Sequence, residues 1–217
     1  MSDIFHEVDE EVRREQLKKL WERWGNYIIA AAFLVVIAIA GWRAWEWYEM
    51  KKAQVAGAAF ETALDLAKAG KHEEAETAFA KVAAGSPSGY RTLARFREAA
   101  ELGARDPAAA VKAYDAIAAD SRMGRVLQDL AAVRAGLILV DSAPFNEIQT
   151  RLEPLASADR PFRHSARELI ALSAWRNGDS AAARRWFDMI IADSDTPSGT
   201  RSRIEMLMAL SDGTSKG

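Results

Sequence analysis

The chain has 217 residues, 49% apolar and 28% charged, a balance that allows a sizeable core and excludes global disorder. Its formal net charge of −2 lacks the basic excess of a nucleic-acid binder. The absence of cysteine excludes disulfides, thiolate metal sites and thiol nucleophiles.

Residues 1–23 form a strongly charged tail. Asp3, Glu7, Asp9, Glu10 and Glu11 lead, Arg13, Arg14, Lys18, Lys19 and Arg23 follow, and Val8, Val12, Leu17 and Leu20 recur at roughly helical spacing. An acidic start and a basic end suit the helix dipole. The expected structure is a solvated helix; a short docking or degradation signal is the functional alternative.

Residues 24–42 then run for 19 positions without a charge. At about 1.5 Å per residue this length roughly matches the hydrocarbon core of a bilayer. Eight of the twelve residues from Ile28 to Ile39 are Ile, Phe, Leu or Val, which together favour insertion by about 2 to 5 kcal/mol. Trp21, Trp24 and Tyr27 flank one edge; Trp42, Trp45, Trp47 and Tyr48 flank the other. Amphipathic rings prefer the membrane–water boundary, so a transmembrane helix is expected. A buried core helix fits poorly, because every face is apolar. A signal peptide cleaved after Ala38-Ile39-Ala40 is the other alternative, but its leader would carry 23 highly charged residues. Five basic residues precede the span and three (Arg43, Lys51, Lys52) follow it closely, which favours a cytoplasmic N-terminus and a C-terminal part across the membrane.

Residues 43–57 read as a juxtamembrane helix or linker, residues 58–210 as a helical repeat domain and residues 211–217 as a frayed tail. Turn residues interrupt an alanine-rich helical pattern at Gly70, Gly85–Gly89, Arg105–Pro107, Asp120-Ser121, Ser142–Pro144, Asp159–Pro161, Asn177-Gly178 and Asp195–Gly199. Asp106-Pro107 has the form of a capped helix start. Gly70, Ala75 and Phe79 have the spacing of Gly178, Ala183 and Phe187; Ala110 and Tyr114 repeat the small-then-large step, and Ile148 and Leu152 fill it with aliphatics. The large anchors Phe79, Tyr114, Leu152 and Phe187 lie 35, 38 and 35 residues apart. A period near 34 with paired helices predicts an all-α, tetratricopeptide-like solenoid. The second repeat has Arg105 in place of the glycine, the third carries Pro154 after its anchor, and a last helix over 201–210 is expected to cap the stack.

The tail ending in Trp21-Glu22-Arg23-Trp24-Gly25, the single span, the aromatic segment Trp42–Tyr48 and the degenerate repeats together resemble the ancillary Sec translocon subunit family, YfgM-like single-pass proteins of bacterial inner membranes. The resemblance covers almost the whole chain and implies a periplasmic repeat domain. It also implies partners among Sec translocon subunits and periplasmic chaperones. It transfers no catalytic residue.

The residues carry no constellation for catalysis. His6, His72 and His164 lack metal-ligand spacing and are expected at the surface or in caps. Glu73-Glu74 suits the first turn of a helix better than paired-carboxylate chemistry. Nucleotide-binding glycine motifs and GxSxG are absent. No enzyme activity, cofactor, metal, nucleic acid or small-molecule substrate is expected. Arg91, Arg95 and Arg97 read as a solvated helix face, with an acidic partner patch as the alternative. Trp186, beside the anchor Phe187, is expected in the core. First helices line the concave face of such solenoids, which makes Leu137, Leu172 and Trp175 candidate partner-binding residues, although core packing is the plainer reading of Trp175. The expected function is a protein-interaction module at the membrane; an envelope assembly, cell-division or cell-wall scaffold is the alternative, and an enzyme the third reading.

Overall fold

A computed structural model of the chain describes the backbone of residues 3–214; the side chains of residues 3–13, 15–17, 19, 20, 88 and 211–214 lie outside the description. The side chains of His6 and of the expected apolar face of the tail, and residues 215–217 of the expected frayed end, therefore fall outside the description, whereas residues 211–214 are helical. The described residues contain helices and no strand. The chain divides into two compact units, Met1–Gln54 and Val55–Gly217.

The described residues of the first unit lie within α1 (Asp3–Lys68), a single helix of 66 residues. Its uncharged stretch contains no proline, so nothing interrupts the backbone ladder. From Trp21 onward the helix is long and apolar enough to cross a membrane, and none of its most apolar stretch is buried in protein. A core helix would be mostly covered; here Phe33, Leu34, Val36 and Ile37 are each more than 60% exposed. The girdle residues are exposed as well, from 50% at Tyr48 to 73% at Trp42. Lys52 sits over the Tyr48 ring at 4.4 Å and Lys51 over Trp47 at 5.9 Å, within cation–π range.

The second unit pairs helices in sequence. The end of α1 pairs with α2 (His72–Gly85), α3 (Ser88–Gly103) with α4 (Pro107–Ala118), α5 (Arg125–Leu139) with α6 (Phe145–Leu152), and α7 (Arg163–Arg176) with α8 (Ser180–Ala192). α9 (Ser198–Thr214) packs on α7 and α8; it begins earlier and runs further than the 201–210 expected. Every repeat anchor lies on a second helix and is buried: Phe79 and Leu152 fully, Phe187 at 1% and Tyr114 at 3% exposure. The smaller residues one turn earlier, Ala75, Ala110, Ile148 and Ala183, are equally buried. Burying each large anchor contributes about 1.5–3 kcal/mol. The facing first helices contribute buried small residues, Ala63, Ala99, Gly136 and Ala171. A Cβ on Gly136 would stand 2.9 Å from Leu152 Cδ1, so glycine permits the close approach of α5 to α6.

The turns explain the degeneracy. Gly70 and Gly178 have φ of 73° and 79°, the left-handed region where glycine is favoured. In each case the glycine N–H donates three residues back, to Ala67 O or Trp175 O. The next N–H donates five back, Lys71 to Leu66 O and Asp179 to Ala174 O. This is the Schellman ending. Where Arg105 replaces glycine, Asp106 N–H donates only four residues back, to Leu102 O, and φ is not positive. The small residue of α3, Ala99, precedes Ala110 by 11 positions, against 12 from Ala63 to Ala75 and from Ala171 to Ala183. A turn one residue shorter has no place for the left-handed residue. Asp106 caps α4 by accepting from Ala109 N–H at 2.9 Å, with Pro107 behind it, as the sequence predicts. After the Leu152 anchor, Pro154 sits in a 3₁₀ turn, Glu153–Leu155.

Candidate partner-binding groove

Because the second helices bury their anchors inside the stack, the first helices are left to form the opposite surface. α5 meets α7, and α7 meets α9. Between these three lies a groove of about 370 Å³. Leu130, Val133 and Leu137 of α5 and Leu169 and Leu172 of α7 supply its apolar lining, with Phe162 at one margin. Arg134, Ser165, Glu168 and Arg203 complete it. Val133 and Leu169 are buried, Leu172 is half-buried, and Leu137 is 52% exposed. Two of the residues singled out from sequence, Leu137 and Leu172, thus face one groove. Trp175, at the end of α7, is 42% exposed and does not line it. The expectation that Trp175 packs in the core is corrected: the buried tryptophan is Trp186, at 8%.

The polar edge of the groove is held in place. Arg203 donates from Nε to Glu168 Oε1 at 2.8 Å and from Nη2 to Oε2 at 3.0 Å, and Thr200 Oγ1 donates to the same carboxylate at 3.3 Å. A two-pronged guanidinium–carboxylate contact is among the stronger side-chain hydrogen bonds. The Glu168 carboxylate pushes the Arg203 pKa up. Arg134 has no ion pair or side-chain hydrogen bond among the described residues.

Behind the groove, arginines tie the helix pairs together. Arg176 donates to Val140 O at 2.9 Å and also to Ala143 O, covering carbonyls at the end of α5 and in the turn after it. Arg151 binds Asp115, and Arg105 binds Glu76. Asp193, just past α8, accepts from Arg167 Nη1 at 2.7 Å and Arg163 Nε at 3.1 Å. These guanidiniums, Arg163 foremost, hold its carboxyl well below the usual range. His164 stands beside this cluster with Nδ1 3.3 Å from Thr196 Oγ1. Burial first, then the Arg163 charge, pushes the imidazole pKa down. His164 is therefore a half-buried side chain of α7 packed against the turn that follows α8, where a surface or capping position was expected. His72 opens α2 with Nδ1 2.7 Å from Glu101 Oε2. The expected solvated arginine face also divides: Arg91 donates to Ser86 O, Arg95 binds Asp120 at 2.8 Å, and Arg97 remains exposed. Sequence reading missed this arginine framework, since each partner lies 25 or more residues away for Arg95, Arg151, Arg163 and Arg176.

Among the described residues no three metal-ligating side chains converge. An apolar groove with a fixed polar edge thus lies along the first helices of a helical-repeat scaffold. The chain belongs to the tetratricopeptide repeat-like domain family, whose model matches residues 18–209. Domains of this kind are generally non-catalytic modules for binding other proteins. No curated protein and no solved structure matches the chain.

Proposed function

We propose that the chain is a membrane-anchored protein-interaction module, an ancillary translocon subunit that links the Sec channel to periplasmic chaperones through its first-helix groove. The observation that carries this reading is the groove itself: its side chains Leu130, Leu137 and Leu172 stay at least partly open on a fold whose repeat anchors Phe79, Tyr114, Leu152 and Phe187 are buried. Leu137 and Leu172 supply the contact, and the exposed indole of Trp175 extends it along α7; tryptophan is enriched among residues that dominate binding energy. Residues 24–42 cross a bacterial inner membrane, residues 1–23 stay in the cytoplasm, residues 43–57 continue the helix, and residues 58–210 work in the periplasm. The unburied apolar stretch of α1 and a family match that begins at residue 18, ahead of the span, support the anchored reading. The resemblance of the first 50 residues to the ancillary translocon subunits supports the choice of partners.

Affinity purification of the full chain from membranes in mild detergent tests the reading. Translocon and chaperone proteins are expected to copurify, and a Leu137→Asp/Leu172→Asp variant is expected to lose them. Recovery of cell-division or cell-wall machinery instead would favour the scaffold alternative. Equal recovery by the variant would reject the groove.

A further inference from the structure

Granted that the groove is the docking surface, on which the selectivity argued here rests, its charge signature narrows the partner. When the buried small residues of the first helices are aligned, Ala99 of α3 with Gly136 of α5, Arg97 and Arg134 fall at the same register position, two residues earlier in each. Leu93 and Leu130 correspond six residues earlier. The two arginines therefore occupy equivalent positions on successive first helices, and both are exposed. Tyr114 of α4 lies between those helices, packed on Ala99, Ala131 and Ala135, with its hydroxyl donating to Phe96 O at 3.4 Å. Arg134 lines the groove, and Arg97 holds the matching position on the preceding first helix, outside the lining itself. Neither has an ion pair or side-chain hydrogen bond among the described residues.

Two acids of the first helices are already engaged. Glu101, which acts on Tyr114, is buried against His72 at 2.7 Å. Glu168, the carboxylate of the groove, is gripped by Arg203 and Thr200. The fold thus engages these two carboxylates and leaves two arginines beside Leu93 and Leu137, which are 54% and 52% exposed. By contrast, Arg95, Arg151 and Arg176 of the same domain are committed to carboxylates or carbonyls. Arginine forms paired hydrogen bonds with carboxylates and is enriched in interfaces.

We infer that the groove selects acidic amphipathic polypeptide segments, whose apolar residues seat against Leu130, Leu137 and Leu172 while their carboxylates meet Arg97 and Arg134. Apolar burial supplies the bulk of the affinity, and the arginine pair supplies selection between segments of opposite charge.

The test measures fluorescence anisotropy with the full chain in neutral detergent micelles. The probes are a labelled helical peptide with leucines on one face and glutamates beside them, its glutamine and lysine counterparts, and leucine-free polyglutamate. The glutamate–leucine peptide is expected to bind about tenfold more tightly than the lysine version, because two charge contacts turn from attraction to repulsion. Arg97→Gln/Arg134→Gln is expected to weaken the glutamate peptide roughly three- to tenfold and leave the glutamine peptide unchanged. Arg125→Gln, at an exposed arginine opening α5, is expected to change neither. Leu137→Asp/Leu172→Asp should weaken the glutamate and glutamine peptides alike. If all three leucine peptides bind equally, or polyglutamate binds as well as they do, or the arginine variant changes nothing while the leucine variant weakens binding, the acidic preference is overturned and the groove stands. If the leucine variant has no effect on any peptide, the groove itself falls, and this inference with it.

Discussion

At the scale of single residues, the fold rests on small side chains placed opposite large ones. Gly136 is the sharpest case. A methyl there meets Leu152, which is itself fully buried, so Gly136→Ala is expected to destabilise the domain by about 1–3 kcal/mol. Gly85, at the end of α2 with open space around its Cα, provides the contrast: Gly85→Ala is expected to be neutral or to stabilise by up to about 1 kcal/mol. Urea denaturation of the full chain in detergent, followed by circular dichroism, reads both. Acidity is expected to act through two groups. The His164 imidazole has a folded pKa below its ordinary value. Between the folded value and about 6.5 the unfolded chain takes up a proton that the folded chain refuses. Stability contributed by neutral His164 is thus full above about pH 6.5 and is lost as pH falls below it. Asp193, held down by Arg163 and Arg167, adds a second loss only as pH falls below about 4. A lower urea midpoint at about pH 5.5 than at 7.5, with the difference reduced in His164→Gln, is the expected result; an unchanged midpoint in the native chain would contradict it.

At the scale of elements, the parts written locally in the chain were readable from it and the parts written at a distance were not. The Schellman glycines Gly70 and Gly178, the Asp106-Pro107 start of α4 and the four buried anchors depend on neighbours within one or two turns, so spacing alone places them. The shortened turn at Arg105 was visible as a missing glycine. Its cause, a spacing of 11 between Ala99 and Ala110, emerges only once both helices are paired. Trp175 shows the other limit: helical periodicity does not say which face of a first helix is covered by the next pair, and its indole proves exposed. The groove was half legible. Leu137 and Leu172 follow from their place on first helices, whereas Arg203 reaches Glu168 across 35 residues, and no local signal announces that contact. The uncharged stretch of α1 makes its own prediction. Its eight large aliphatic and aromatic residues supply about 2–5 kcal/mol for insertion, and an Asp near the centre costs about 2.5–3.5 kcal/mol. Leu34→Asp is therefore expected to shift much of the protein from the carbonate-resistant membrane pellet to the supernatant or to degradation. Full retention in the pellet would count against the span.

At the scale of the molecule, two units divide the labour that the proposed function requires. One contains a helix whose apolar surface finds no cover in protein. The other builds a solenoid that hides its anchors along the second helices and opens a groove along the first. The central claim is that partners dock on that first-helix face. Site-specific photocrosslinking in intact membranes tests it most directly, with a benzophenone side chain introduced at Leu137 in one variant and at the exposed second-helix positions Lys112 and Arg185 in two others. Discrete protein adducts are expected from position 137, abolished by adding Leu172→Asp, and few or none from 112 and 185. Adducts concentrated at the second-helix positions, or adducts from 137 that persist with Leu172→Asp, would contradict it.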